Sequence, residues 1–147
     1  MLAAGAKLAK YKNRFTVYAF PVIGATLDLE KPVGWALIDY QANTLPVWDK
    51  DGNIVRTTKI KNTAGSAHGL FGVHAIERLK TADLVQKVWK VEGLTDLLSL
   101  WSNQPESIRD KEIVLSTSCG TSETPRWQAS LLASYDVNVI HDADEPG

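Results

Sequence analysis

The chain has a single cysteine, Cys119, no long apolar run, and neither internal repeats nor low-complexity tracts. One thiol cannot build an intrachain disulfide framework or a cysteine zinc cage. No His/Asp partner is identifiable for it, so Cys119 reads as an ordinary thiol rather than a nucleophile. A membrane helix needs roughly 20 consecutive apolar residues, and no stretch comes near that length. The opening MLAAGAKLAKYK has too few apolar residues for a signal-peptide core. These absences predict a cytoplasmic protein with no membrane partner. Phosphate-loop spacing is also missing. Gly65, Gly69 and Gly72 punctuate KNTAGSAHGLFGVH but match neither G-x-G-x-x-G nor G-x-x-x-x-G-K-[ST]. They predict a loop through which backbone can approach a ligand.

What remains is a globular composition. With 147 residues, 44% apolar and 22% charged, the chain is long enough for one ordinary domain or two small ones and can bury a core. The net charge of -1 hides an asymmetry. Residues 1–75 hold nine Lys/Arg against five Asp/Glu, a balance of +4; residues 76–147 hold seven against twelve, a balance of -5. A basic front joined to an acidic back is consistent with one part gripping a polyanion and the other binding cations.

The front half reads as strands and turns. Arg14–Phe20 is a β-rich run that stops at Pro21, and Gly34–Tyr40 is a second. Pro46–Trp48 and Ile54–Ile60 flank Asp49-Lys50-Asp51-Gly52-Asn53, a hairpin signal. That turn superficially resembles a calcium loop. However, the twelfth position from Asp49 is Ile60, where such a loop needs a bidentate Glu. His68 and His74 have no partner at metal-ligand spacing and read as surface or packing histidines.

The back half changes pattern. Ile76–Leu84 predicts a short helix or turn, and Lys87–Gly93 a strand. Thr95–Asn103 predicts a helix with Leu97, Leu98, Leu100 and Trp101 at helical spacing. Glu112–Ser116 is the next strand, followed by the polar loop Thr117–Thr124. Pro125–Leu132 predicts a helix with Thr124 as N-cap, and Val137–His141 a third strand. Strand, helix, strand, helix, strand at these lengths predicts a parallel sheet with right-handed crossovers.

In such sheets ligands gather beyond the carboxyl ends of the strands. The first parallel strand ends at Glu92 and the third runs into Asp142 and Asp144. If the two are neighbours, three carboxylates converge on one edge, with Asp96 one helical turn beyond Glu92. Crowded carboxylates repel one another, and hard divalent cations such as Mg²⁺ or Mn²⁺ relieve the repulsion. Acids after a strand also cap helices, and Asp-Glu-Pro-Gly is a reasonable turn. Both readings stay open at the level of either site alone.

Val91-Glu92-Gly93-Leu94-Thr95-Asp96 resembles the Glu-Gly-x-x-Asp signature of Toprim domains, and His141-Asp142-Ala143-Asp144-Glu145-Pro146-Gly147 resembles their Asp-x-Asp signature. The likeness covers about residues 86–147 and is closest to bacterial, phage and plasmid primases and primase-helicases. It implies a Rossmann-like parallel-sheet Toprim domain at 76–147 that continues past Gly147. A small, basic, β-rich primase-type subdomain would precede it at 1–75. Trp48, Asp51-Gly52, Lys59/Lys61 and Gly65–Gly72 follow the order found ahead of the Toprim region in phage-type primases, while the upstream zinc ribbon of many primases is absent. The resemblance further implies catalytic Glu92, Asp142 and Asp144 holding Mg²⁺ or Mn²⁺, with Asp96 supporting them. Nucleoside triphosphates would be joined on a single-stranded DNA template held by Lys59, Lys61, Lys12 and Arg14, with a replicative helicase fused or in trans. A Toprim nuclease or topoisomerase is the rival enzyme, though no tyrosine has a topoisomerase-like context. A non-catalytic nucleic-acid-binding module is the rival outside enzymes. The tryptophans would be stacking platforms or, for Trp89 and Trp101 above all, core.

Overall fold

The computed structural model describes residues 5–66, 68–81, 84–118 and 124–141. It is a mixed α/β structure with several sheets and three helices. In the front half, β1 (Lys7–Tyr11), β2 (Phe15–Val22), β3 (Gly34–Asp39) and β6 (Lys61–Asn62) form an antiparallel sheet in the order β1-β2-β3-β6. The turn after β1 is tight. Lys12 (φ 47) and Asn13 (φ 56) are both left-handed, and the Arg14 N–H closes the turn on the Tyr11 carbonyl at 3.1 Å.

β4 (Leu45–Trp48) and β5 (Ile54–Thr58) form the expected hairpin. Asp49 Oδ1 accepts the backbone N–H groups of Asp51 and Asn53, both at 2.9 Å. These bonds, that from Asn53 foremost, hold the Asp49 carboxyl below the usual carboxylate range.

β2 does not stop at Pro21 as expected; it runs to Val22. The β1 ladder ends at the Lys7–Ala19 pair, so Pro21 faces only β3. A strand proline is tolerated where one neighbour is missing.

The back half supplies β7 (Leu70–Phe71), α1 (Val73–Thr81), β8 (Lys87–Val91), α2 (Leu94–Asn103), a 3-10 turn (Glu106–Ile108), β9 (Glu112–Thr117), α3 (Arg126–Leu132) and β10 (Val137–Ile140). Its sheet has the order β10-β8-β9-β7. β8 pairs parallel with both β9 and β10, and β7 pairs antiparallel with β9. The parallel strand–helix–strand units read from the sequence are present. α1 starts at Val73, three residues before the expected Ile76, with the Ile76 N–H bonded to the Gly72 carbonyl at 3.0 Å. α3 starts at Arg126 rather than at Pro125, and Thr124 does not cap it. Pro125 is extended there, and its carbonyl accepts the N–H groups of Gln128 and Ala129.

Side chains alternate across the back sheet with the strand period of two. Val88, Ile113 and Leu115 join Ala75, Ile76 and Leu79 of α1 and Leu132 of α3 in one buried cluster. Val91 and Val114 point the other way, into a cluster with Leu94 and Leu97 of α2. That second cluster also contains Phe20, Val22 and Ala36 of the front sheet. The basic front half and the acidic back half therefore share apolar core, and a division at residues 75/76 falls inside α1. The other face of the front sheet has its own small cluster, Val17, Ala19, Leu37 and Leu45.

Candidate functional site

The register of the parallel strands defines one edge. Val91 of β8 lies opposite Ser116 of β9 and opposite Ile140 of β10. Continuing one step sets Glu92 level with Thr117 on one side and His141 on the other. α2 leaves β8 on one face of the sheet and α3 leads to β10 across the opposite face. Strand order reverses at β8, so the carboxyl ends of β8 and β10 mark the switch point at which α/β sheets bind ligands.

Glu92 stands at this switch point with 22% of its side chain exposed, and its Oε2 is 3.9 Å from Nδ1 of His141. His141 is mostly exposed, so the pair contributes little stability even when the imidazole is protonated. The Ser116 hydroxyl, fully buried, donates to the Glu92 carbonyl at 3.1 Å and ties the ends of β8 and β9 together.

Asp96 occupies the third position of α2. Its Oδ2 accepts the Gly93 N–H at 2.9 Å, satisfying a donor that the helix start leaves free and placing negative charge at the positive end of the helix dipole. Asp96 thus fixes the turn that directly follows Glu92. Asp142 and Asp144 lie outside the described residues, as does Cys119. Among the described residues no group of three or more His, Cys, Asp or Glu side chains could hold a metal ion.

The glycine loop belongs to the same edge. The Gly69 N–H donates to Ser118 Oγ at 2.8 Å, and the Ser118 N–H donates back to the Gly69 carbonyl at 2.9 Å. The Ser118 hydroxyl in turn donates to the Ser66 carbonyl. From α3, Gln128 Nε2 donates to the carbonyls of His68 (2.8 Å) and Gly69 (3.2 Å). A Cβ on Gly69 would stand 2.2 Å from Val22 Cγ1 and 3.0 Å from the Ile23 carbonyl oxygen, so only glycine fits this approach. The loop expected to let backbone approach a ligand is clamped by its own backbone to the end of β9.

Ser118 and Gln128 carry that clamp, and sequence reasoning gave Gln128 no role. The available signal was its position one helical turn before Leu132, a polar residue on the buried stripe of α3. Gln128→Leu removes both bonds and takes this donor from the His68 carbonyl, while the Gly69 carbonyl keeps the Ser118 N–H. It is expected to cost about 1–3 kcal/mol, read as a lower urea midpoint together with faster proteolysis within residues 63–69.

The basic residues expected to touch nucleic acid are spread over the front half. Lys12 and Arg14 sit on the turn after β1, and the Lys12 ammonium lies 4.3 Å from the Trp48 ring centroid. Lys59 is exposed just beyond β5. Lys61, on β6, faces the same side as Leu37, opposite the core shared with α2. Trp89 is half-buried and donates its Nε1–H to Glu112 at 2.9 Å, and Trp101 packs on His74 at 5.1 Å; both are structural, as expected. No family model matches the chain, and no curated protein shows detectable similarity to it.

Proposed function

We propose that the chain is a Toprim-type primase core that joins nucleotides on a single-stranded DNA template. The observation supporting this reading is the parallel register of β8, β9 and β10. It makes the Glu-Gly-x-x-Asp segment leave one strand at the level where the neighbouring strand leads into the Asp-x-Asp segment. Glu92, Asp142 and Asp144 are hard oxygen donors of the kind Mg²⁺ or Mn²⁺ selects, and they are the residues that would hold such an ion. Bound there, a divalent cation would neutralise charge developing on a transferred phosphoryl group.

The protein's own part is positional and acid–base. Glu92, partly exposed at the strand end, accepts the proton of an attacking 3′-hydroxyl or completes the ion's ligand set. Asp96 holds the Gly93 turn, and Ser116 holds the Glu92 backbone. Lys59, Lys61, Lys12 and Arg14 attract template phosphates, which contributes affinity without sequence readout. A nuclease would use the same acids with water as the nucleophile, and a replicative helicase is the expected partner.

The test is calorimetric titration of Mn²⁺ into the chain and into the Asp142→Ala/Asp144→Ala variant. A binding isotherm lost in the double variant supports the reading, and an isotherm unchanged by it sinks the acids as ligands. On an extended chain, Glu92→Gln is expected to lower nucleotide incorporation by about 10²- to 10⁴-fold, the span of a general acid/base. A non-catalytic binding module is the second reading, favoured by Asp96 being engaged at a helix start. Oligonucleotide binding that persists without metal and in Glu92→Gln, with no incorporation, would select it.

A further inference from the structure

Strand register fixes the outer face of the front sheet. Lys7, Ala19, Leu37 and Lys61 lie directly opposite one another across β1, β2, β3 and β6, and Pro21 and Trp35 form the next pair on that face. One end of the face is covered, because Trp48 of the hairpin packs against Tyr11 (5.9 Å) and Phe15 (6.2 Å). The other end holds two clefts of about 320 and 430 Å³.

The first cleft has a floor of Ala9, Ala19 and Leu37. The second is bounded by Pro21, Leu29, Pro32 and Val73, with Glu30 as its one acid. Trp35 and Lys7 border both, and they are the residues the two clefts have in common. Trp35 therefore stands where the two clefts meet, packed against the Ala19 and Leu37 cluster. Its backbone is held firmly: the Trp35 N–H donates to Thr63 Oγ1 at 2.9 Å, while its carbonyl accepts the Thr63 N–H at 2.9 Å and the Ser66 hydroxyl at 3.2 Å. The Lys7 ammonium sits 5.6 Å from the indole centroid.

We propose that this end of the sheet binds single-stranded nucleic acid, with a base stacked on Trp35 and phosphates held by Lys7 and Lys61. Clefts lined by small apolar residues beside an indole suit bases, which offer a π-face whatever their identity. A duplex has already stacked its bases against each other, so only a single strand can enter. The lysine rim and the +4 balance of residues 1–75 match a polyanion. The proposal rests on the nucleic-acid reading above and adds a contact on the sheet face turned away from the core shared with α2.

The test is fluorescence anisotropy of a labelled oligothymidylate with the chain as given, in EDTA, across a salt series. Trp35→Ala and Trp35→Leu are each expected to weaken binding about 10-fold or more, and Trp35→Phe to retain most of it. Thermal melts of the Leu and Phe variants separate lost stacking from lost folding. Lys7→Ala and Lys61→Ala are each expected to flatten the log–log salt slope by about 0.7. Wild-type affinity in Trp35→Leu, no binding by the wild-type chain, or equal competition by polyglutamate overturns the proposal. Mn²⁺ titration of the acid variants reads the primase proposal separately, so the two can fail independently.

Discussion

Phe20→Ala is expected to destabilise the whole chain by about 3–5 kcal/mol, the range for deleting a large buried aromatic. Phe20 is 1% exposed and belongs to the cluster shared by the front sheet, α2 and the back sheet. A domain of this size has roughly 5–15 kcal/mol in total, so this one truncation removes a large share. The location matters as much as the size. Were the basic and acidic halves independent, the loss would fall on the front half alone. A common core instead predicts a single urea transition whose midpoint falls while its slope stays constant. Tryptophan fluorescence reports on both halves, through Trp35 and Trp48 in front and Trp89, Trp101 and Trp127 behind. It should shift together with the far-ultraviolet circular dichroism. Two separated transitions, with only the earlier one moved, would mean the halves fold apart.

Acidification should expose a second large effect at His74. The imidazole packs on Trp101, and among the described residues neither of its nitrogens has a hydrogen-bond partner. Burial, helped by the nearby Arg109 charge, lowers its pKa from 6.5 to about 4. Above pH 6.5 the ring is neutral in both the folded and unfolded chain and adds no pH dependence. Between 6.5 and 4 the unfolded chain takes up a proton that the folded chain refuses, so stability falls with falling pH. The full loss is on the order of 3 kcal/mol.

His74 lines a cleft of about 290 Å³ with Glu77, Arg78, Glu106, Arg109 and Asp110, so other charged groups face the same space. The wild type is therefore compared with His74→Phe, which keeps a flat ring without the charge. Urea midpoints measured from pH 7.5 to 4.5 should diverge as the pH drops, the variant losing less. Parallel curves would show that His74 is not held neutral.

Legibility in the sequence followed the range of the forces involved. The Asp49–Asn53 turn and the alternation in β8 and β9 are local, and both are read directly from residue order. The parallel pairing followed from strand and helix lengths. β7 did not, because Leu70 and Phe71 are two residues inside a glycine loop and gain strand geometry by pairing with Ser116 and Thr117 on one side and, at Leu70, with Ile23 on the other, all distant in the chain. Pro21 misled for the same reason: its tolerance depends on where β1 ends, a tertiary fact. At the candidate site Glu92 was legible as an acid at a strand end, and its level with His141 depended on β10 pairing with β8. Asp96 was read toward a metal, while its contact is with the Gly93 N–H. The hydroxyl of Ser118 and the amide of Gln128 bind backbone carbonyls of a distant loop, a use that no short motif encodes.

The shared core has a mechanical consequence. α2 begins two residues after Glu92, its first turn is pinned by Asp96, and its apolar face lies in the same cluster as Phe20, Val22 and Ala36 of the front sheet. Tilting the front sheet means repacking that face, and close-packed interiors transmit such strain rather than absorb it. The helix is thus a short strut whose buried face, Leu94 and Leu97, joins the front sheet's core while its first turn stands at the acidic edge. Load placed on the front sheet reaches Glu92 as a change in its bearing.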